Sequence, residues 1–257
     1  MRLFISNDTT APYATLLPDE SRHCVRVLRM SVGDELWVTS GDGTMCRARL
    51  VTPDSDHCEV EIVERIENYQ QRPFRLHLAV APTKNTARLE WFVEKAVEIG
   101  IDRITPVICD HSERGILKTE RLDRLALSAM KQSLKASRPL IDQPIKLLDF
   151  LQNLNSHIHT FTHSHIQKYS NNQAIKHSNI QKLVCYCSGD DRRTLRQLYT
   201  PGNDALVLIG PEGDFSDREI TTTLQLGFQP VTLGNSRLRT ETAALYATTV
   251  LNFLNES

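Results

Sequence analysis

The chain has 257 residues, with 30 Lys and Arg against 31 Asp and Glu, so its formal net charge is -1. This length allows one large domain or two small ones with a full hydrophobic core, which excludes a miniprotein held together by disulfides. The charge balance alone favours no class of partner, and the 40% apolar content is close to that of an ordinary soluble protein.

The sequence carries no signal for a membrane or for secretion. Its strongest apolar run, 205–209, ends at Gly210-Pro211 and is far shorter than the roughly 18 residues that span a bilayer. Residues 1–8 become acidic too early for a secretory signal. The six cysteines include no C-x-x-C pair, so we expect reduced structural thiols. We therefore expect a cytoplasmic protein with no membrane partner.

The first 70 residues have the pattern of β-structure. Short runs rich in β-forming residues predict strands at 3–5, 35–39, 45–51 and 58–66. The loop at 40–44 contains two glycines, which favours a hairpin between the strands on either side. We expect a small antiparallel barrel, because closure removes exposed strand edges.

A basic segment interrupts these strands. Arg22, His23, Arg26 and Arg29 follow near-helical spacing, which gathers their side chains on one side. Residues 1–75 hold nine arginines, no lysine and twelve acidic residues, a balance of -3. Arginine without lysine is typical of bidentate phosphate recognition, although a simple solvated face explains the pattern equally well.

From residue 75 onward, strands alternate with helices, which predicts an α/β domain with a mainly parallel sheet. We expect strands at 76–81, 104–109, near 158–162, at 183–187, 206–209 and 231–233. We expect helices at 86–99, where Gly100 ends the amphipathic pattern, and at 119–136. Residues 111–146 carry eight basic and four acidic residues, a local +4 in a neutral chain.

The segment 163–181 is rich in Ser, Asn, Gln and His and is predicted to be a surface loop. Pairs of histidines, His157 with His159 and His163 with His165, lie in or beside it. Because residues 150–181 include no acidic side chain to complete a metal site, we expect no bound metal.

A buried strand runs into a glycine turn at 208–216, Leu-Ile-Gly-Pro-Glu-Gly-Asp-Phe-Ser. Ser216 and Glu219 form a capping-box pattern, so a helix is predicted to begin directly after the turn. Glycines at the carboxyl end of a parallel strand let the backbone approach a small ligand. The turn matches neither a dinucleotide fingerprint nor a Walker loop. A ligand site and a merely tight strand-to-helix connection both fit this pattern.

A second glycine turn lies at 233–243, Leu-Gly-Asn-Ser-Arg-Leu-Arg-Thr-Glu-Thr-Ala. The helix that follows has an apolar face at Ala244, Ala247, Leu251 and Leu254. Its N-terminus favours anions such as Glu241, whereas Arg237 and Arg239 just ahead of it are electrostatically disfavoured. The arginines therefore indicate an anionic or electron-rich partner, with a structural Arg–Glu pair as the alternative.

These two motifs together resemble those of the RsmE-type small-subunit ribosomal RNA uridine-N3 methyltransferases of the SPOUT superfamily. The likeness extends over nearly the whole chain. The segment Arg22-His-Cys-Val-Arg-Val-Leu-Arg29 with Gly33-Asp34 resembles the family's PUA-like RNA-binding barrel. Pro82-x-Lys84, Arg88 and Lys95-Ala-x-Glu-x-Gly100 resemble the first helix of its catalytic domain.

The resemblance implies two domains, a PUA-like RNA-binding β-barrel at 1–70 and a SPOUT methyltransferase domain at 71–257. The parallel sheet of the second is implied to form a deep trefoil knot, whereas periodicity alone favours an unknotted Rossmann-like sheet. In the family, S-adenosylmethionine lies bent in the knot and is held mostly by backbone groups, and a homodimer partner completes the RNA site. The implied cofactor-binding residues are Leu208, Gly210, Pro211, Glu212, Gly213, Leu233, Gly234 and Leu238.

The chain departs from the family pattern at two places. Where the family usually has Gly-Gly, this chain has Gly213-Asp214. Where the family usually reads Glu-Gln-Ser-Gly-Arg, this chain reads Lys-Gln-Ser-Leu-Lys at 131–135. The geometry of the first turn and the role of the second segment are therefore open.

The implied reaction is methylation of N3 of a uridine in 16S ribosomal RNA, within an assembled small subunit. N3 of uracil is a poor nucleophile until its proton is removed, and the resulting charge spreads over O2 and O4. We assign stabilisation of that charge to Arg239, or alternatively Arg237, with Glu241 orienting the arginine or accepting the proton. S-adenosylmethionine carries an activated methyl group, so no metal is required.

Because N3 lies on the pairing edge of uracil, the base must be unpaired or flipped out to react. The candidate RNA contacts are Arg22, His23, Arg26, Arg29, Lys84, Lys131 and Arg138. Two other functions stay open, a non-catalytic RNA-binding factor for ribosome assembly and a SPOUT methyltransferase that acts on transfer RNA. A nucleotide-phosphate enzyme is a third.

Overall fold

The computed structural model describes residues 2–113, 115, 117–154, 180–186 and 193–256. The chain forms two compact units, residues 1–72 with 127–138 and residues 73–126 with 139–257. No helix among the described residues is long and apolar enough to cross a membrane. The strand predicted near 158–162 and the paired histidines lie outside the described residues.

The first unit contains a curled five-stranded sheet. Its strands are β1 (Leu3–Ile5), β2 (Tyr13–Thr15), β3 (Glu35–Thr39), β4 (Met45–Thr52) and β5 (Glu59–Ile66), in the order β1-β3-β4-β5-β2. An isolated bridge between Ser6 and Leu16 joins the two outer strands, so the sheet curls back on itself. Alternate residues such as Leu36, Val38 and Val60 fill the interior.

The predicted hairpin is confirmed, because β3 and β4 pair antiparallel across Gly41 and Gly43, both of which have positive φ. The expectation of a wholly antiparallel barrel is wrong, since β1 and β3 are parallel. Parallel neighbours need a crossover, and here helix α1 (Pro18–Arg22) and a π-helical turn (His23–Val27) lie on the connection.

A distant segment, 127–138, completes the first unit. The Gly43 N–H donates to Ala136 O at 3.0 Å, and the Arg138 N–H donates to Gly41 O at 2.9 Å. The Lys131 ammonium lies 2.5 Å and 2.7 Å from the two carboxylate oxygens of buried Glu20. Nothing in the sequence pattern predicted that this segment would pair with the hairpin loop.

The second unit is a parallel α/β sheet, as predicted. Its described strands run in the order β12-β10-β11-β6-β7-β8, with β9 also on β7, and every pairing is parallel. The described elements from residue 73 onward are β6 (Leu76–Val80), α2 (Thr86–Ile99), β7 (Arg103–Ile108), α3 (Thr119–Gln132), β8 (Leu140–Ile141), β9 (Ile145–Lys146), α4 (Leu147–Gln152), β10 (Ile180–Cys185), α5 (Leu195–Leu198), β11 (Asp204–Ile209), α6 (Asp217–Gln225), β12 (Gln229–Val231) and α7 (Thr240–Asn255). Residues 127–132 of α3 belong to the first unit.

Helix ends follow local chemistry. Helix α2 has the predicted bounds, and Gly100 ends it at φ 135°. The capping box at Ser216 and Glu219 starts α6 as predicted. Helix α3 ends at Gln132, four residues before the predicted end, and Leu134 two residues later adopts φ 56°, which an α-helix cannot contain.

Candidate active site

A cavity of about 430 Å³ opens at the carboxyl ends of three neighbouring strands, β12, β10 and β11. The carboxyl edge of an open parallel sheet is where such folds bind ligands, and this volume lies within the range of small-molecule sites. The described lining residues come from the strand ends Cys185–Tyr186, Ile209 and Val231, the turn after β11, the loop after β12 and the first turn of α7.

The turn after β11 forms one wall. Gly210 allows a close approach there, because a Cβ atom at this position would lie 3.0 Å from the Phe215 ring, which is tighter than most Cβ contacts. The Asp214 N–H donates to Pro211 O at 3.0 Å and closes the turn, with Asp214 at φ 63°. Asp214 therefore occupies the left-handed region that glycine adopts most easily, so the turn accommodates the departure from Gly-Gly.

The loop after β12 forms the facing wall. Gly234 lies at φ 120°, and its N–H and carbonyl both bond with the Thr232 hydroxyl, at 3.2 Å and 3.0 Å. Two contacts join this loop region to the turn after β11. Arg237 donates to Glu212 O at 3.1 Å, and the Thr240 hydroxyl donates to Gly210 O at 3.1 Å. The cavity walls thus hold each other in place.

The loop after β7 supports the turn from behind. The Nδ1 atom of His111 lies 3.1 Å from the carbonyl oxygens of both Gly213 and Asp214, so it carries the donated proton. Ser216 donates to the Asp110 carboxylate at 2.6 Å, and the Asp110 N–H donates to Glu219 at 2.9 Å. This support fixes both the turn and the start of α6.

Six of the eight residues predicted to hold a cofactor line the cavity, namely Gly210, Pro211, Glu212, Leu233, Gly234 and Leu238. Leu208 lies fully buried inside β11, and Gly213 lies against His111, so neither contributes to the cavity wall. The described part of the chain contains no cluster of three or more metal-ligating side chains.

The three predicted catalytic residues occupy different surroundings. Arg237 lines the cavity. Arg239 precedes α7, is exposed, and forms no side-chain hydrogen bond or ion pair with any described residue. Glu241 is buried, and its Oε1 atom lies 3.8 Å from Nε of Arg88 on α2, while its Oε2 atom has no hydrogen-bond partner among the described residues. The structure therefore pairs Glu241 with Arg88 and not with Arg239.

The residues predicted to contact RNA are divided between the two units. In the first unit, Arg22, His23, Arg26 and Arg29 are all exposed on the short helical segment and the residues after it. Arg22 pairs with Asp19 and, at 3.5 Å, with Asp56, and Arg26 donates to Ser55 at 3.0 Å. Arg138 is exposed, whereas Lys131 forms an ion pair with Glu20. In the second unit, Lys84 pairs with Glu113 at 2.7 Å.

Sequence reasoning missed several residues of the site. Cys185, Tyr186, Thr232 and Thr240 line the cavity, and His111 supports its wall. Cys185, Tyr186 and Thr232 lie at or directly after the ends of parallel strands, and His111 lies in the loop after β7, so the convergence of strand ends on one edge could have located them. Thr240 begins α7, and its position carries no such signal.

The chain matches two family models, an RNA methyltransferase domain over residues 70–252 and an RNA methyltransferase PUA domain over residues 16–63. It is 30% identical to Ribosomal RNA small subunit methyltransferase E of Mesomycoplasma hyopneumoniae over 208 residues, which cover 78% of each chain.

Two solved structures resemble it over nearly the full length. One is a probable rRNA-methyltransferase from Porphyromonas gingivalis, at 37% identity and a TM-score of 0.83, covering 100% of this chain and 99% of that one. The other is a Ribosomal RNA small subunit methyltransferase E from Neisseria gonorrhoeae bound to S-adenosyl methionine, at 26% identity and a TM-score of 0.77, covering 99% and 98%. The chain belongs to the ribosomal RNA small subunit methyltransferase E family.

Proposed function

We propose that this protein transfers the methyl group of S-adenosylmethionine to N3 of a uridine in 16S ribosomal RNA. The observation that carries the proposal is the cavity at the carboxyl edge of the parallel sheet, bounded by two glycine loops with arginines directly beside it. A ribosomal substrate would place the enzyme in the cytoplasm.

The cavity fits the cofactor in size and in chemistry. Gly210 and Gly234 have no side chain and so leave room for a ligand beside the backbone, Leu233 and Leu238 supply apolar surface, and Arg237 supplies a cation for a carboxylate. We assign the holding of the cofactor to the six lining residues already predicted, with Leu208 and Gly213 acting by shaping the strand end and the turn. S-adenosylmethionine supplies, when bound, a methyl group that its sulfonium has already activated.

Arg239 is the proposed catalytic cation. Its side chain lies beside the cavity loop and engages no described residue, so it is available to a substrate. A guanidinium aimed at O2 or O4 of uracil stabilises the charge that develops when N3 loses its proton. Arg237 spans the two loops through Glu212 and is the alternative. Glu241, buried against Arg88, acts on this site by positioning the start of α7.

The exposed cations Arg22, His23, Arg26 and Arg29 in the first unit are proposed phosphate contacts, together with Arg138. Lys84 and Lys131 already face carboxylates, so we expect smaller contributions from them. Phosphate contacts fix the register of the RNA, and the target base is read after it is unpaired or flipped.

Purified protein, S-adenosylmethionine and three RNA substrates test this function. The substrates are assembled small subunits, naked 16S RNA and transfer RNA, and nucleoside mass spectrometry measures the product. We expect 3-methyluridine in the assembled subunits. Methylation of transfer RNA would favour the alternative of a methyltransferase that acts on transfer RNA. RNA binding without methylation would favour a non-catalytic assembly factor.

A further inference from the structure

The cavity wall carries one acidic side chain whose charge no described residue neutralises. Asp214 lines the cavity, and among the described residues the only hydrogen bond to its carboxylate is from the N–H of the adjacent Phe215 to Oδ1, at 2.9 Å. Glu212, the other acidic lining residue, accepts from the Lys84 N–H at 3.3 Å, and its charge is attracted to the Lys84 ammonium, although that ammonium forms its ion pair with Glu113. Asp214 is therefore the carboxylate that is available to a cationic ligand.

The backbone at Asp214 is also unusual. Its φ of 63° is a left-handed conformation that costs most residues free energy, although Asp and Asn tolerate it best. His111 holds that conformation by bonding to the carbonyl oxygens of Gly213 and Asp214. A residue in a sparsely populated backbone conformation that lines a ligand cavity is where function is expected.

We propose that Asp214 makes the cavity discriminate the cofactor from its product by charge. This inference rests on the proposed function. S-adenosylmethionine has a positive sulfonium, whereas S-adenosylhomocysteine has a neutral thioether in its place, so the two differ by one unit charge. A carboxylate in a half-enclosed cavity favours the more positive ligand, because Coulomb attraction is stronger there than in water. The carboxylate thus retains the methyl donor and releases the spent product.

One substitution removes this charge and little else. Asp214→Asn keeps a residue that tolerates the left-handed region, and its amide oxygen still accepts from the Phe215 N–H. Asp217→Asn is the matched control, since it makes the same chemical change three residues later at an exposed position outside the cavity wall.

Calorimetry of each protein with each ligand tests the proposal without relying on catalysis. In Asp214→Asn we expect affinity for S-adenosylmethionine to fall about three- to tenfold, while affinity for S-adenosylhomocysteine changes by less than about twofold. The difference should shrink as salt is raised, and the control should match the wild type for both ligands.

Equal weakening of both ligands in Asp214→Asn would overturn the proposal and make Asp214 a residue of the turn alone. Unchanged affinities would overturn it as well. A wild-type protein that binds neither ligand would contradict the proposed function itself, and this inference with it.

Discussion

Arg239 is the residue on which the proposed chemistry most depends. Because it lies outside the cavity wall, Arg239→Ala should leave the affinity for S-adenosylmethionine within about twofold of wild type. Methyl transfer should fall by at least about a hundredfold, since one lost transition-state donor typically costs that much. Calorimetry and a methyl-transfer assay separate the two effects.

Arg218→Ala is the matched control for that measurement, because Arg218 is exposed on α6 and lines no part of the cavity. It should keep full activity. Full activity in Arg239→Ala would remove this arginine from the mechanism and direct attention to Arg237.

Two residues show how far the backbone conformation of a single position could be predicted from sequence. The pattern of the family that the sequence resembles has glycine at positions 214 and 134, which left open the geometry of the first turn and the role of the second segment. Asp214 and Leu134 both adopt left-handed conformations, at φ 63° and 56°. The backbone is thus kept without glycine, at a cost of about 1–2 kcal/mol for an ordinary side chain. Residue identity alone does not reveal this, because tertiary contacts impose the conformation.

At the scale of elements, α2 and α7 meet through the pair of Arg88 and Glu241. Glu241 is buried and Arg88 is only partly exposed, so losing the arginine leaves a buried carboxylate with no ion-pair partner among the described residues. Arg88→Ala should lower the free energy of unfolding by about 1–3 kcal/mol, measured by urea denaturation. The same change in a Glu241→Gln background should cost less. Equal costs in both backgrounds would show that the two side chains do not interact.

Long, strongly patterned elements were predictable from sequence. The α2 periodicity and the Ser216 capping box gave the correct helix starts, because both depend on neighbouring residues. The strands β2, β8 and β9 were missed, since each has only two or three residues and none has a continuous run of three apolar residues like that of β1. The parallel pairing of β1 with β3 was missed because pairing direction depends on the path of the connection.

At the scale of the whole molecule, we propose a homodimer formed through one face of α7. Tyr246 and Phe253 lie seven residues apart on that helix and are 46% and 67% exposed, and Trp91 on the adjoining α2 is 45% exposed. Asn252 fixes the two helices together by donating to Gly100 O at 2.8 Å. Large exposed aromatic side chains are typical of an interface.

Phe253→Glu should convert a dimer to a monomer in sedimentation experiments, because it places a charge within that face. Leu224→Glu on α6 is the control, as it changes an exposed apolar residue on another helix, and it should remain dimeric. A wild-type protein that sediments as a monomer would contradict the dimer.

The trefoil knot implied by the resemblance remains a prediction. Hydrophobic periodicity reports which residues face a core and contains no information about which loop the chain passes through. Net charge was similarly uninformative at this scale. The value of -1 conceals a segment at 111–146 with an excess of four positive charges, and binding depends on where charges lie.

The central claim, methylation of a 16S ribosomal RNA uridine at N3, is tested most directly in cells that lack the gene. Nucleoside mass spectrometry of their small-subunit RNA should show the loss of 3-methyluridine. The wild-type gene should restore the modification, and the Arg239→Ala gene should not. An unchanged amount of 3-methyluridine in the cells without the gene would contradict the proposed function.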